Sequence, residues 1–305
     1  MRILVSGSTG FLGTSLVATL ERQGHRIVPF VRPQAGHGNA SGAVEKVVRW
    51  DPISGHFDAA AAEGSDALVH LAGASIAEGR WNASRKNLLR TSRIDSTRHL
   101  FHALSQLQRP PRVIVAASAI GFYGDRGDEI LTEASAPGKD FLAALCQEWE
   151  AETAKGAEFG ARVAMLRFGI ILAAHGGALP RMALPFKLGA GGRLGSGRQW
   201  MSWVTLKDVV AVIGFALANT ALVGPANVVA PTPVQNVEFT RILAGALHRP
   251  ALFPAPPFAL RLALGEMADA LLLASQRVMP SKLKQCGYQF KQPDLASALA
   301  EIFRR

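Results

Sequence analysis

The chain has 305 residues, a length that allows one large domain or two smaller ones. Hydrophobic residues make up 49% and charged residues 18%, a balance typical of a globular protein, which excludes a disordered one. The formal net charge of +10 would attract polyanions, but the arginines are scattered and no zinc-finger spacing or recognition-helix pattern accompanies them, so we predict no nucleic-acid partner.

The first residues and the longest apolar stretch indicate where in the cell the protein is expected. An apolar strand pattern begins at residue 3 with no secretory leader before it, which predicts a cytoplasmic protein. The apolar stretch at residues 257–279 is interrupted by Arg261, Glu266 and Asp269 within the length of one membrane-spanning helix. We therefore predict a buried amphipathic helix there, and we expect no membrane partner.

The two cysteines, Cys146 and Cys286, lie far apart in the sequence. Neither belongs to a CxxC pair or has a neighbouring histidine cluster, so the sequence predicts neither a disulfide nor a metal site. We expect both thiols to be reduced packing groups.

Apolar runs and helical patterns alternate along the first part of the chain. The apolar runs suit buried parallel strands, at residues 3–6, 26–31, 44–50, 67–72, 112–118, 161–168 and 226–229. The helical patterns between them lie at residues 11–23, 84–105 and 141–159. Strands alternating with helices predict an α/β fold, a Rossmann-type doubly wound parallel sheet with helices on both faces.

Glycine and proline divide the second part of the chain into loops, and after residue 233 the pattern becomes mostly helical. The expected helices lie at residues 237–247, 258–273 and 295–303. We therefore predict a Rossmann domain at residues 1–175, with 204–232 returning to the sheet. Residues 176–203 and 233–305 are predicted to form a smaller, mostly helical substrate or cap domain.

A glycine motif follows the first predicted strand and opens the first predicted helix. Residues 7–13 have the sequence GSTGFLG, a GxxGxxG pattern. Glycines let the backbone approach a pyrophosphate, and the helix N-terminus offers it N–H groups and a positive dipole end. The predicted cofactor contacts are Gly7, Thr9, Gly10, Phe11, Leu12 and Gly13. The alternative is a tight turn that only packs the helix on the strand.

The end of the second predicted strand selects between NAD and NADP. NAD-binding proteins usually place an acid there for the ribose 2′-hydroxyl, whereas NADP-binding proteins place a cation beside the 2′-phosphate. Here the strand is followed by Arg32, and no acid occurs before Glu45. A guanidinium can pair with a phosphate through two hydrogen bonds, so we predict NADP(H) as the cofactor, against the alternative of a solvated surface arginine.

Small residues follow the strand predicted at residues 67–72. Leu71, Ala72 and Gly73 are expected to border the dinucleotide, because open α/β sheets bind ligands at the carboxyl ends of their strands. His70 lies inside the apolar strand, and we interpret it as a packed neutral histidine rather than a catalytic one.

Several segments together resemble one family. Residues 116–124 (AASAIGFYG) and residues 195–204 (GSGRQWMSWV) with Asp208 are similar to the fifth-strand and substrate-loop segments of the extended short-chain dehydrogenase/reductases. Further motifs resemble the atypical, epimerase-like branch that carries a short C-terminal domain of uncharacterised function: Arg80-Trp81, Ser92-Arg93, Phe141-Leu142 with Cys146, Trp149-Glu150, and the segments GGAL at 176–179 and QRVMP at 276–280. The resemblance runs end to end and implies NADP(H) binding with a poorly defined substrate.

The chain departs from the wider family at the catalytic pair. Catalytic members use Tyr-x-x-x-Lys on the fifth helix, where the lysine lowers the pKa of the tyrosine. Aligning Glu150 with the glutamate that commonly follows that motif puts Leu142 at the tyrosine position and Cys146 at the lysine position. Leucine has no proton to give, and we expect the cysteine to be inert because no histidine lies nearby in sequence.

A second departure is Arg93, which stands where the family has an active-site asparagine. A fixed positive charge near the nicotinamide would suit an anionic substrate or the phosphates of the cofactor. The alternative is a surface arginine in a salt bridge.

The remaining candidates for polar chemistry follow the fifth strand. Ser118 and Tyr123 are the predicted catalytic residues, since hydride transfer needs a group that stabilises the developing oxyanion, although either residue could be purely structural. The resemblance implies that the cofactor is also bordered by Ala117, Arg167, Gly169 and Ile171.

Residues of the second part are expected to form a cleft between sheet and cap. The predicted substrate contacts are Met182, Phe186, Gln199, Trp200 and Trp203. A mixture of apolar bulk and sparse polar groups is typical of small-molecule pockets, but the tryptophans could also simply join the cap to the sheet.

These patterns predict an NADP(H)-dependent oxidoreductase or epimerase-like enzyme for a small metabolite that is polar and can be anionic. The competing hypothesis is a non-catalytic NADP(H)-binding protein that reports redox state to a partner. An ordinary sugar-nucleotide epimerase is disfavoured, because its proton carrier is missing at position 142. We expect a monomer or a homodimer; relatives commonly dimerise through the fourth and fifth helices.

Overall fold

The structure is a computed structural model that describes residues 1–33 and 47–304. Its strands are β1 (Arg2–Ser6), β2 (Arg26–Val31), β3 (Val48–Arg49), β4 (Ala67–His70), β5 (Val113–Ala119), β6 (Ile130–Leu131), β7 (Arg162–Phe168), β8 (Ile170–Leu172), β9 (Trp200–Met201), β10 (Trp203–Thr205), β11 (Gly224–Val228), β12 (Val234–Gln235) and β13 (Arg277–Val278). Its α-helices are α1 (Phe11–Arg22), α2 (Ala59–Ala62), α3 (Ala83–Arg90), α4 (Ser96–Ser105), α5 (Phe141–Ala154), α6 (Leu179–Lys187), α7 (Leu206–Ala218), α8 (Asn236–Leu247), α9 (Pro257–Leu264), α10 (Glu266–Ala268), α11 (Ser281–Gln285) and α12 (Leu295–Phe303). Tighter or wider helical turns occupy Thr91–Asp95, Ile120–Tyr123, Lys155–Phe159 and Asp269–Leu273.

The main sheet has seven strands in the order β11-β7-β5-β4-β1-β2-β3, and every pair in it is parallel. These strands correspond to the seven apolar runs of the sequence, so the predicted α/β fold is confirmed. The run at residues 44–50 gives only the short β3, and its residues 44–46 lie outside the described residues. The order reverses direction between β1 and β4, which is where open sheets of this type bind ligands.

Helices cover both faces of this sheet because its strands are apolar on both sides. Side chains alternate across a strand, so Ile3 and Val5 of β1 enter one core while Leu4 enters the other. The first core also contains Leu16 of α1 and Ile213 of α7. The second core contains Leu100 and Leu104 of α4 together with alternate residues of the neighbouring strands, such as Leu68 and Ile114. The sheet therefore holds the carboxyl ends of β1, β4 and β5 in fixed positions along one edge.

The C-terminal apolar stretch differs from its prediction. The sequence predicted one buried amphipathic helix near residues 258–273, but α9 ends before Gly265 and none of its residues is buried. Gly265 has φ +63°, a left-handed conformation that breaks the helix there. The described residues contain no helix that is both long and apolar enough to cross a bilayer.

The cap has a small core of its own, formed by α6, α8 and α12 with Trp203 and Met201. The chain then returns to the sheet, since Leu283 lies in the core under β11 and β7. β13 also pairs in parallel with β6. The division into a Rossmann domain and a cap stays a prediction, with these contacts joining the two predicted parts.

Candidate cofactor and substrate site

The turn between β1 and α1 has the geometry of an anion site. Gly10 precedes α1 with φ −76° and ψ 172°, and no side chain caps the helix. The amides of Phe11, Leu12 and Gly13 in the first helical turn therefore have no capping side chain, and the first turn carries no acid. Unpaired N–H groups and the positive end of the helix dipole favour an anion at this position.

Two glycines of the turn are required by close contacts. Gly7 has φ +71°, and a Cβ there would lie 2.9 Å from the carbonyl carbon of Leu71. A Cβ at Gly13 would lie 2.1 Å from the carbonyl oxygen of Gly7. The motif therefore packs the turn tightly against α1 and the end of β4, as in the packing-only alternative. Because the helix N-terminus stays uncapped as well, this packing is compatible with anion binding, which stays a prediction.

Residues predicted to contact the cofactor border this turn. Thr9 and Gly10 are exposed, whereas Phe11 is half-buried under a second glycine loop. A Cβ at Gly176 would lie 2.5 Å from the Phe11 ring, so this loop closes over the start of α1. Only glycine allows that approach, since Gly176 also has φ +82°.

The end of β4 lies beside the turn. Leu71 and Ala72 are half-buried and Gly73 is exposed, so this part of the sheet edge is open to a ligand. His70 is fully buried, and its ring nitrogens lie 2.7 Å from Ser6 Oγ and 3.1 Å from Thr97 Oγ1. Burial lowers the pKa of His70 to about 4, which confirms the prediction of a packed neutral histidine.

Arg32 is exposed directly after β2, one strand away from the glycine turn. Asp51 lies near enough that the positive charge of Arg32 contributes to lowering the pKa of its carboxyl group. The larger causes of that lowered pKa are hydrogen bonds from the Ile53 amide and the Ser54 hydroxyl. The carboxyl group of Asp51 is therefore stabilised mainly by its own neighbours and only weakly by Arg32. Arg32 is at the surface after β2, the position where the ribose end of a dinucleotide would lie.

Arg93 lies under the open edge of the sheet. Its Nη2 donates to the carbonyl oxygen of Ala74 at 2.9 Å and its Nη1 to that of Leu89 at 3.3 Å. A Cβ on Gly73 would lie 3.3 Å from its Cζ, and its guanidinium lies 5.2 Å from the Trp149 ring centroid. No carboxylate lies within salt-bridge distance in the described residues. Burial lowers its pKa to about 10, so it stays charged at neutral pH.

Ser118 and Tyr123 belong to a buried polar network. Ser118 Oγ donates to Glu150 Oε1 at 2.6 Å, and Glu150 accepts two hydrogen bonds from Arg167, at 2.8 and 2.7 Å. Arg167 Nη1 donates to the Tyr123 hydroxyl at 2.9 Å, and that hydroxyl donates to Asn227 Oδ1 at 2.7 Å. All five side chains are buried. The network joins β5, α5, β7 and β11 beneath the edge of the sheet formed by the carboxyl ends of its strands, which we call the ligand edge.

This network changes the interpretation of three predicted site residues. Tyr123 is 0% exposed, and burial raises its pKa, so its hydroxyl is neither accessible nor prepared for proton transfer. The Ser118 proton points to Glu150, and the Arg167 guanidinium is committed to Glu150 and Tyr123. The structure places these side chains in the protein interior, where they make structural hydrogen bonds, and a contact of any of the three with a ligand stays a prediction.

Leu142 and Cys146, which the sequence comparison aligned with the catalytic pair of the wider family, are both buried in α5. Leu142 lies in a cluster that we call the α5 cluster, formed by Trp81, Leu89, Ile94, Leu142, Leu145, Trp149 and Met267. Ala74 and Ala117, at the ends of β4 and β5, pack against the α5 cluster. Cys146 is buried, and burial together with the nearby Glu150 charge raises its pKa to about 12. It is a free thiol, as predicted, and it is not a nucleophile at neutral pH.

The predicted substrate residues lie mostly inside the cap. Trp203 is 0% exposed and donates from Nε1 to the carbonyl oxygen of Thr232 at 3.1 Å. Phe186 is buried in the same core, with Met182 packed against it. Gln199 is buried, and its amide donates to the carbonyl oxygens of Leu194 and Leu272. The structure therefore gives Trp203 a packing role, which was the alternative stated for the tryptophans. It buries Phe186 and Gln199 as well, and the contact of these residues with a substrate stays a prediction.

Trp200 is half-buried and joins separate loops. Its Nε1 donates to Asp128 Oδ1 at 2.7 Å, and the guanidinium of Arg277 lies 4.3 Å from its ring centroid. These contacts hold the loop after β5 and the C-terminal segment together. The aromatic side chain therefore connects the cap to the sheet, and its role as a substrate contact stays a prediction.

The remaining predicted cofactor residues lie along the same edge. Ala117 is half-buried near the end of β5, and Gly169 and Ile171 are half-buried after β7. A Cβ on Gly169 would lie 2.5 Å from the carbonyl oxygen of Ser202, so this glycine is required by the pairing of β8 with β10. Their backbone lies where the prediction places it, and their contact with a ligand stays a prediction.

Sequence reasoning did not identify Asn227 or Trp149 as site residues. Asn227 lies within the short apolar strand β11, so only the folded sheet shows that it accepts a hydrogen bond from Tyr123. Trp149 is buried, and its Nε1 has no hydrogen-bond partner in the described part of the chain. The sequence signal that could have identified Trp149 was its position immediately before Glu150, in the helix that carries the catalytic pair in the wider family.

Metal chemistry has no support in the described ranges. No group of three or more histidine, cysteine, aspartate or glutamate side chains lies close enough to hold a metal ion in residues 1–33 and 47–304.

The chain matches the NAD dependent epimerase/dehydratase family over residues 3–230, and residues 255–302 match a domain of unknown function, DUF1731. An epimerase family protein of Mycobacterium bovis is 40% identical over 97% of this chain and 96% of its own length. A chloroplastic epimerase family protein of Arabidopsis thaliana, an SDR39U1 homolog, is 37% identical over 100% of this chain and 87% of its own length. The crystal structure of human epimerase family protein SDR39U1 with NADPH has a TM-score of 0.89 at 33% identity and covers both chains fully.

Proposed function

Because the chain belongs to the NAD dependent epimerase/dehydratase family, we propose that it binds NADP(H) along the carboxyl edge of the parallel sheet. The observation that carries this proposal is the uncapped start of α1 directly after a glycine turn. The pyrophosphate would accept hydrogen bonds from the amides of Phe11, Leu12 and Gly13. Arg32 would pair with the 2′-phosphate, because a guanidinium matches phosphate geometry.

The residues present fit this cofactor. Gly10 carries no side chain where a pyrophosphate would lie, and Gly73 leaves the end of β4 exposed. The similar human protein crystallised with NADPH supports the choice of the phosphorylated dinucleotide. Arg93, a permanent cation beside Gly73, would face either the cofactor phosphates or an anionic group on the substrate.

We further propose an oxidoreductase or epimerase-like activity on a small polar metabolite that carries an anionic group. When bound, the nicotinamide supplies or accepts the hydride. The protein would orient the substrate and exclude water, and Arg93 would stabilise negative charge. Neither Leu142 nor Cys146 can supply the accompanying proton, because one has none and the other has a pKa of about 12. An ordinary sugar-nucleotide epimerase mechanism is therefore disfavoured.

A second candidate is a non-catalytic NADP(H)-binding protein that reports redox state. The buried network favours it, since Ser118 and Tyr123 are both committed to structural hydrogen bonds. In that function the cofactor would stabilise one conformation for a partner, and no proton carrier would be needed.

Calorimetric titration with NADPH followed by NADPH oxidation assays on a panel of carbonyl compounds distinguishes the two candidates. Steady oxidation that Gly10→Asp abolishes would support the enzyme. Tight NADPH binding without turnover on any panel member would support the redox sensor. Absence of NADPH binding would contradict both.

A further inference from the structure

Four consecutive carbonyl oxygens in the loop after β4 accept hydrogen bonds from side chains. The pairs are Arg93 Nη2 with Ala74, Arg85 Nη2 with Ser75, Trp81 Nε1 with Ile76 and Arg181 Nη1 with Ala77. Three of the four donors are guanidinium groups, and they come from α3, from the turn that follows α3 and from α6. The loop at residues 74–77 therefore has a fixed shape and collects three positive charges around it.

Carboxylates neutralise these charges poorly. Within residues 1–33 and 47–304, only Glu78 has a carboxylate within 4 Å of any of the three guanidinium groups, with its Oε2 lying 3.6 Å from Arg85 Nη2. The Glu78 side chain is 64% exposed, so this ion pair is weak. The pKa of Arg93 is lowered to about 10, with burial as the main cause and the charge of Arg85 as a contributing one. Two neighbouring cations thus repel each other, an arrangement that favours a bound anion.

A groove of about 410 Å³ lies beside this loop and the start of α3, and we call it the α3 groove. Its polar lining residues are Glu78, Arg80, Asn82, Ser84 and Arg85. Arg80 is exposed, and its side chain makes no hydrogen bond or ion pair in the described part of the chain. Arg85 Nε is buried and has no hydrogen-bond partner there. Because a guanidinium has five N–H donors, both arginines that line the groove keep unused donors.

We infer that the α3 groove binds the phosphate group of a small molecule through Arg80 and Arg85. A guanidinium can donate two parallel hydrogen bonds to a phosphate, so two guanidinium groups match a doubly charged one. Asn82 Oδ1 accepts from the Arg85 amide, which leaves the Asn82 side-chain NH₂ group to donate to the anion, together with the Ser84 hydroxyl. Glu78 lines the same groove and would compete with the anion for Arg85.

This site goes beyond the proposed function. None of the five polar groove residues is among the predicted cofactor contacts, and phosphate binding there needs neither NADP(H) nor a reaction. The phosphate group could belong to a phosphorylated metabolite or be free phosphate, and the two sources share the same chemistry.

Calorimetric titration with inorganic phosphate at about pH 8, where phosphate is doubly charged, tests the inference. The full-length protein is first saturated with NADP⁺, so that the proposed sites at α1 and Arg32 are filled. We expect phosphate to bind at least about tenfold more tightly than acetate, which has one charge and cannot engage both guanidinium groups. Glycerol 3-phosphate identifies the source: tighter binding than inorganic phosphate indicates a phosphorylated metabolite, and equal binding indicates free phosphate.

Substitutions separate the α3 groove from general attraction to a basic protein. Arg80→Gln should weaken phosphate binding at least about tenfold, and Arg85→Lys should weaken it less, because lysine keeps the charge but loses the paired donors. Glu78→Gln should strengthen binding up to about fivefold, since it removes the competing carboxylate. Arg90→Gln is the matched control: Arg90 is also on α3, where it pairs with Glu148 outside the groove, and its substitution should leave phosphate affinity unchanged.

Weaker phosphate binding in Arg80→Gln together with tighter binding in Glu78→Gln would support the α3 groove. Equal losses in Arg80→Gln and Arg90→Gln would mean that only net charge attracts phosphate, and either this result or no phosphate binding to the unsubstituted protein would overturn the inference. Failure of NADP⁺ to bind would remove the proposed function but not the groove, because the dependence on Arg80 is measured in either case. Thermal unfolding checks that each variant is folded.

Discussion

Glu150 and Arg167 form a buried bidentate ion pair between α5 and β7, with Nε–Oε1 and Nη2–Oε2 distances of 2.8 and 2.7 Å. The pair also receives the Ser118 hydroxyl, so it connects the ends of three elements under the ligand edge. In this protein the glutamate that follows the catalytic helix motif of relatives is thus a structural anchor.

Removing one member of this pair should destabilise the fold strongly. Glu150→Gln is expected to lower the free energy of unfolding by about 3–5 kcal/mol, because it leaves the Arg167 charge buried without its partner. Urea unfolding measures the change. Glu148→Gln, two positions earlier, breaks an exposed pair with Arg90 and should cost less than about 1 kcal/mol. Equal losses in the two variants would show that the buried pair has no special role.

Gly10→Asp should separate cofactor binding from stability. Aspartate is a favourable N-cap, and φ −76° at Gly10 is open to any residue. A Cβ there would lie 3.3 Å from the Gly7 carbonyl oxygen, which a small shift of the turn relieves, so α1 should remain intact. The new carboxylate would occupy the anion site and repel the phosphates, and losing one charge-assisted hydrogen bond alone predicts at least about tenfold weaker NADPH binding. Calorimetry and thermal unfolding of the same sample check both parts.

The control for this charge is Ala18→Asp, which adds a carboxylate at an exposed position one to two turns along α1. It should leave NADPH affinity within about twofold of the unsubstituted protein, since the dipole effect fades within the first turn. A similar loss in both variants would mean that net charge, and not the helix start, controls binding.

Protonation of His70 should lower the free energy of unfolding in mild acid. Its pKa in the folded protein is about 4 because it is buried, below the ordinary value of 6.5, so the unfolded chain takes up the proton first. Its contribution to stability is complete above about pH 6.5 and falls by about 3 kcal/mol as the pH decreases to about 4.

Unfolding by urea at several pH values measures this effect against His70→Gln, whose amide can still hydrogen-bond to Ser6 and Thr97. The substituted protein should lose less stability between pH 6.5 and 4 than the unsubstituted one. Identical pH profiles would show that protonation of His70 does not control acid stability.

The cysteines should differ sharply in reactivity. Cys146 is buried with a pKa of about 12, whereas Cys286 is half-buried. Iodoacetamide at pH 8 should therefore label Cys286 in the folded protein, with Cys146 labelled only after denaturation. Peptide mass analysis of Cys286→Ser should find no label on the folded chain, and rapid labelling there would mean that Cys146 is accessible and reactive.

Much of the fold followed from apolar periodicity. The seven runs that predicted strands all entered one sheet, because strands covered on both faces need continuous apolar sequence, as at residues 67–70. Helix α7 was not predicted. Its sequence is apolar on nearly every side because it packs against the sheet, α1 and the C-terminal tail, so it lacks the polar face that marks a surface helix.

The side-chain roles at the site were harder to predict. Tyr123 lies in a motif that resembles one containing a catalytic residue, but the turn Ile120–Tyr123 directs its side chain into the core toward Asn227. That partner is on β11, more than 100 positions away in sequence, and no local pattern reports such a contact. The tight turn at Gly7 and Gly13 was easier to predict, because the glycine motif directly follows a strand and opens a helix, whereas the contact of these glycines with a cofactor stays a prediction.

Calorimetric comparison of NADPH with NADH tests the proposed cofactor site most directly, using the unsubstituted protein, Arg32→Gln, and Arg26→Gln at the exposed start of the same strand. We predict that the unsubstituted protein and Arg26→Gln bind NADPH about 10- to 100-fold more tightly than NADH, and that Arg32→Gln binds the two equally. Equal affinities in the unsubstituted protein, or an unchanged preference in Arg32→Gln, would contradict the assignment of Arg32 to the 2′-phosphate.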